Sequence, residues 1–164
     1  MNRQSESDSN PRFNGFEQMD LFRKFKVQSR FMDLFKTFLK NDRFAVHSNV
    51  ELISMTPGAA HAKMVIQPHH LNGLGTAMGG AIFTLADFAF AAASNSHGTI
   101  AVALDVNITF LKAARTGTLW ADAKENSKNY KIGSYTVEVK DDAGELVALF
   151  HGTAYRKKEA VPGT

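Results

Sequence analysis

The spacing of apolar residues along the chain changes several times, and each change marks an element. Over residues 16–39, Phe22, Phe25, Met32, Phe35 and Leu39 recur at intervals of three, four and seven, with Lys and Arg between them. That spacing predicts an amphipathic helix, or two, packed on a sheet or a partner subunit. NVELISM and AHAKMVIQP flank the turn formers Thr56, Pro57 and Gly58 and predict a hairpin. A glycine-rich loop, HHLNGLGTAMGG, leads into MGGAIFTLADFAFAAAS, residues 78–94, which is apolar on every face apart from Asp87. Its length, its alanines and the stop residues Ser94, Asn95, Ser96 and Gly98 predict one long buried helix. TIAVALDVNITFL, TGTLWADAKENS, IGSYTVEVKD and ELVALFHGTAYRK follow, mostly in period-two alternation. Turn signals at 114–117, 127–131 and 141–144 separate them, so they predict four strands joined as an antiparallel meander. The order hairpin, helix, meander predicts an α+β domain whose sheet wraps one central helix.

Composition narrows the picture. The chain has 164 residues, enough for one sizeable core. The polar residues 1–15 predict a disordered leader without the apolar core of a secretory signal, which makes the cytoplasm the default location. Residues 16–45 are expected to form a helical N-terminal extension and 46–158 the folded domain. Lys and Arg exceed Asp and Glu by only three and are spread along the chain. No nucleic-acid footprint results, though the surplus suits an anionic small molecule. The chain has no cysteine, which excludes disulfides, thiolate metal sites and a cysteine nucleophile. A membrane span over 77–94 is disfavoured by its Ala and Gly content, and by a mid-span Asp that costs about 2.5–3.5 kcal/mol on insertion scales.

The carboxylate in the apolar helix is the main chemical signal. Read from the residues alone, Asp87 either accepts hydrogen bonds from a buried backbone turn or performs chemistry, since a buried unpaired carboxylate is costly. Gly79 and Gly80 open the same helix, leaving first-turn N–H groups that no side chain shields and that attract a developing oxyanion. Eight residues separate Gly79 from Asp87, roughly 12 Å along the axis, too far for both to reach one carbonyl within a chain. Two antiparallel copies across a two-fold axis bring the amide of one beside the carboxylate of the other. If the two groups act together, the sequence predicts an obligate dimer with two interfacial sites.

The residues also resemble a known family. The pattern N-x-x-G-x-x-H-G-G followed by L-A-D marks the hotdog-fold acyl-CoA thioesterases of the phenylacetate-degradation (PaaI-like) type. Here it reads Asn72, Gly75, Met78, Gly79, Gly80, Leu85, Ala86 and Asp87. The resemblance runs from about residue 49 to 156 and includes DVNITFLKAARTGTLWADA. It implies a hotdog fold and acyl-CoA hydrolysis by a dimer or a dimer of dimers, a homotetramer. No metal or other cofactor is implied, CoA being part of the substrate. In this resemblance Asp87 is the catalytic base or nucleophile, Gly79 gives its N–H to the thioester oxygen, and Asn72 positions substrate or water. Met78 and Gly80 lie beside the substrate. Phe110, Lys112 and Arg115, with Gly133 and Ser134, are the positions implied for the CoA moiety. Met78 stands where the motif carries histidine, and Ala103 about where some relatives carry serine; neither side chain can donate a hydrogen bond. The amide and the carboxylate survive both changes. The alternative reading is a hotdog module that binds acyl-CoA without turnover; a hydratase or dehydratase on the same fold is disfavoured by the missing histidine.

Other candidates carry less. His69 and His70 read as a surface pair at a strand end, Trp120 as core, and Lys112 and Arg115 as either a solvated turn or partners for CoA phosphates. No H-E-x-x-H array supports a metal, and the glycine loop lacks the G-K-[ST] ending of a phosphate loop. Ser94 and Ser134 lie in no nucleophile elbow. Phe83, Phe88 and Phe90 are candidates to close an acyl tunnel beside the helix.

Overall fold

The computed structural model describes residues 41–162 together with Met19, Phe35 and Thr37. In chain order it contains a short helix α1 (Arg43–His47), strands β1 (Val50–Thr56) and β2 (Ala59–Val65), and a 3-10 turn at Pro68–His70. The long helix α2 (Gly79–Asn95) follows, then β3 (Thr99–Phe110), β4 (Thr118–Lys128), β5 (Ile132–Lys140) and β6 (Leu146–Ala160). The leader and the helix expected over 16–39 lie outside the described residues, apart from Met19, which is exposed, and Phe35, which is buried.

Helix α2 forms where the sequence places it, and its seventeen residues make it about 25 Å long. Leu85, Ala86, Ala89, Ala92 and Ala93 are fully buried against the sheet. Alanine suits this position because it is the best helix former and its small side chain lets the strands approach closely. At the C-terminal end the Ser96 hydroxyl donates to the Ala93 carbonyl and accepts the Gly58 N–H, both at 2.7 Å. Asn95 exchanges hydrogen bonds with the backbone of Ala101, so the helix end is fixed to the β1–β2 turn and to the start of β3.

The six strands form one antiparallel sheet in the order β1-β2-β4-β5-β6-β3, the expected α+β hotdog architecture. Period-two alternation turns Leu119, Ala121 and Ala123 of β4 and Tyr135, Val137 and Val139 of β5 toward the helix. The Phe90 ring packs on Tyr135 and Phe150, with centroids 5.5 and 5.6 Å apart.

Two expectations need correction. The four C-terminal strands do not run as one meander: β4, β5 and β6 do, but β3 crosses to the far side and pairs with β6. The β4 edge that β3 would have used is occupied by β2, from Ala59 opposite Lys124 to Val65 opposite Thr118. Turn residues report that the chain reverses; they do not report which strand becomes the neighbour. Trp120 is not core either. Its strand neighbours Leu119 and Ala121 face the helix, so Trp120 lies half-buried on the outer face. There it stacks on His61 and donates its indole N–H to Asp142.

Candidate functional site

The start of α2 is pinned from both sides. The N–H of Met78, its N-cap, donates to the His70 carbonyl at 2.7 Å, and that of Ala77 to the Ala114 carbonyl at 2.7 Å. Met78 gives no side-chain cap, so the Gly79 and Gly80 amides begin the helix without one. The loop ahead is closed by Asn72, whose side-chain oxygen accepts from the N–H groups of Leu74 and Thr76 and whose amide donates to the Thr76 hydroxyl. Asn72 therefore shapes the loop that delivers the helix start. Arg115 braces the same loop by donating to the carbonyls of Leu74 and Gly75.

Gly79 opens onto a cleft of about 320 Å³ that it shares with Phe110, Lys112, Thr76, Ala77 and Ile82. Three of the residues expected at the substrate thus meet in one place. A β-carbon at position 79 would come within 3.0 Å of the Phe110 ring, so glycine is what allows this approach. Lys112 is tied at the rim: its ammonium donates to Asp141 at 2.7 Å and pairs with Glu145. Those two hydrogen bonds raise its pKa further and keep it cationic. Met78 is exposed and its thioether lies over Gly80.

Asp87 lines a different cavity of about 340 Å³, with Phe83, Thr84, Phe88 and Ala91 from α2, Phe44 and Ala45 from α1, and Asp42 at the N-cap of α1. No hydrogen bond or ion pair satisfies its carboxylate among the described residues. Burial raises its pKa, and the negative charge of Asp42 raises it further. Of the three candidate tunnel residues, Phe83 and Phe88 face this cavity, while Phe90 is spent on the core. Asp42, Phe44 and Ala45 are not foreseen from sequence, although N-D-R-F-A carries a helix-start signal: Asp42 caps α1 by accepting the Ala45 N–H at 3.0 Å.

The remaining candidates are separate. Gly133 is buried under Tyr135, and Ser134 points to the opposite face, so the two do not form one patch. His69 is exposed as expected, but His70 is not a surface residue. It is 4% exposed, and its Nδ1 accepts the Gln67 N–H at 3.0 Å. Burial, with the neighbouring His69, lowers its pKa and keeps the imidazole neutral. The 3-10 turn folds it inward, a reversal that two adjacent histidines before a loop do not announce. Among the described residues, no group of His, Asp and Glu could hold a metal ion and no helix is long and apolar enough to cross a membrane.

The chain is similar to known proteins in sequence and in fold. The thioesterase superfamily model matches residues 74–148, a span that contains Gly79, Asp87 and Lys112. A protein of Archaeoglobus fulgidus described as an esterase is 42% identical over 139 residues, covering 84% of this chain and 90% of its own length. The acyl-coenzyme A thioesterase PaaI of Escherichia coli is 37% identical over 125 residues, covering 76% of this chain and 89% of its own. The solved structure of E. coli PaaI superposes with a TM-score of 0.77 at 34% identity, over 81% of this chain and 97% of that one. A Streptococcus mutans protein solved with acetyl CoA bound superposes with a TM-score of 0.66 at 27% identity, over 69% of this chain and 92% of that one.

Proposed function

The chain belongs to the thioesterase superfamily as a PaaI-like hotdog thioesterase, and from that premise we propose that it hydrolyses an aryl or fatty acyl-CoA to the free acid and CoA. The observation that carries this reading is Asp87: a carboxylate in an apolar helix, without a partner among the described residues, held in a cavity and raised in pKa. Asp87 takes a proton from water as the water oxygen attacks the thioester carbon and passes that proton to the departing sulfur, or it attacks the carbon itself to form a mixed anhydride that water then hydrolyses, the water's proton going to the thiolate. The Gly79 N–H receives the charge that develops on the carbonyl oxygen. The C–S bond then breaks and CoA leaves as its thiol. No metal or organic cofactor enters the step.

Gly79 and Asp87 act in this scheme across a two-fold axis, as a dimer or a dimer of dimers. The two residues line separate cavities of one chain, and their spacing along α2 keeps them roughly 12 Å apart. Strand β3 supports such pairing. It is an edge strand of twelve residues, bonded on one side only, with Val102 and Leu104 exposed. Asn72 and Arg115 act indirectly by holding the loop, and Lys112, with Phe110 beside it, is placed to meet CoA phosphates.

The test is release of free CoA from a panel of short, long and aryl acyl-CoAs, with Asp87→Asn as control. Thiol release that Asp87→Asn abolishes is the expected result. Tight CoA binding without release across the panel overturns hydrolysis and leaves an acyl-CoA-binding module.

A further inference from the structure

The Asp87 cavity has an outer wall that the hydrolytic step leaves unused. It is built by α1, ahead of the sheet, through Asp42 and Phe44. Phe44 is 67% exposed, a large apolar side chain left at the cavity rather than in the core. The Asp42 carboxylate is not free to swing away, because it accepts the Ala45 N–H at the start of its helix. Among the described residues no Lys, Arg or His lines this cavity, whereas the Gly79 cleft carries Lys112, already paired with Asp141 and Glu145, with Arg115 on the adjoining loop. An acyl-CoA is polarised in the matching sense: its phosphates are anionic and its acyl end is apolar. A thioester spanning the Gly79 cleft of one subunit and the Asp87 cavity of the other therefore keeps its phosphates away from the two carboxylates and places its acyl group in the aromatic, acidic cavity.

We propose that Asp42 and Phe44 form the far wall of the acyl cavity and determine specificity there, Phe44 covering an apolar or aryl acyl group and Asp42 excluding acyl groups that end in a carboxylate. This rests on the reading of Asp87 as the group that meets the thioester. The cavity, at about 340 Å³, lies at the small end of ligand sites and suits a short or aryl acyl group. A terminal carboxylate would enter a space that, among the described residues, faces two carboxylates and no cation, and like charges brought together without a counter-ion oppose binding. The same closeness underlies the contribution of Asp42 to the raised pKa of Asp87. Asp42 is exposed on its outer side, so salt screens part of the effect.

Two thioether analogues that cannot be hydrolysed, S-hexyl-CoA and S-(5-carboxypentyl)-CoA, read this selectivity by calorimetric titration of the full chain. The wild type is expected to bind the hexyl analogue about tenfold or more tighter, and 0.5 M salt narrows the difference. Asp42→Asn keeps the helix cap, since asparagine caps as well as aspartate, and narrows the ratio about three- to tenfold. Asp42→Ser provides a second capped, uncharged variant. Phe44→Ala weakens both analogues and leaves their ratio. A ratio equal in the wild type and in both Asp42 variants overturns the proposal. Discrimination by a protein that hydrolyses no thioester overturns the hydrolase reading alone, because binding is measured on inert compounds.

Discussion

The Phe110 ring closes on Gly79 so tightly that a β-carbon at position 79 would meet its Cζ at 3.0 Å. The end of β3 thus sits over the first amide of α2, in the cleft where the oxyanion is proposed to form. Gly79→Ala pushes this ring aside, and Phe110 is half-exposed and free to yield. The variant is expected to lose less than about 1 kcal/mol of stability and about tenfold or more in kcat/KM, because the donor position moves. Thermal denaturation and steady-state kinetics on the same preparation check both.

Asp87→Asn removes the proposed base without changing side-chain volume. A loss of about a hundred- to ten-thousandfold in kcat, with CoA binding retained, is expected. A variant that turns over at the wild-type rate would remove Asp87 from the chemistry.

The raised pKa of Asp87 fixes the direction of two pH effects. The base is active only when ionised, so the acid limb of kcat/KM lies above the ordinary aspartate value of about 3.9. Asp42 faces Asp87 across the cavity, and Asp42→Asn shifts the limb to lower pH. For stability, the folded state holds its proton to higher pH than the unfolded chain, so stability falls as pH rises from the unfolded to the folded pKa. Asp87→Asn is therefore more stable than the wild type at pH 7, and the difference disappears below the unfolded aspartate range. Melting temperatures of both proteins across that window measure it.

Strand β3 carries the dimer prediction. Leu104, 59% exposed, falls at the bulge between Ala103 and Asp105 on the free edge. Leu104→Arg places a charge there that edge-to-edge pairing cannot absorb. Sedimentation should show a shift from dimer or tetramer toward monomer, with activity falling in parallel. A wild type that sediments as a folded monomer at micromolar concentration would exclude the cross-subunit site.

Gly152 tests the core. A β-carbon there would come within 2.9 Å of the Phe90 ring and 3.0 Å of Phe150. Gly152→Ala overpacks that contact and should lose about 1–3 kcal/mol in denaturant unfolding.

Elements whose signals are local are set by their own residues. Helix α2 is set by its alanines and glycine start, the β1–β2 hairpin by Thr56, Pro57 and Gly58, and the spacing of Gly79 and Asp87 by helical rise alone. The resemblance implies substrate contacts at Gly79, Phe110 and Lys112, and the three line one cleft. Contacts between partners distant in sequence arise only once the chain has folded. Folding moved β3 to the far edge because β2 already held β4, turned His70 inward on a 3-10 turn, and sent Trp120 outward because its neighbours took the helix face. Period-two alternation leaves open which face of a strand is buried, and a turn does not choose a strand's neighbour. The wall that Asp42 and Phe44 add to the Asp87 cavity belongs to the same class: α1 and α2 meet only after the chain has folded back, and no local pattern encodes that contact.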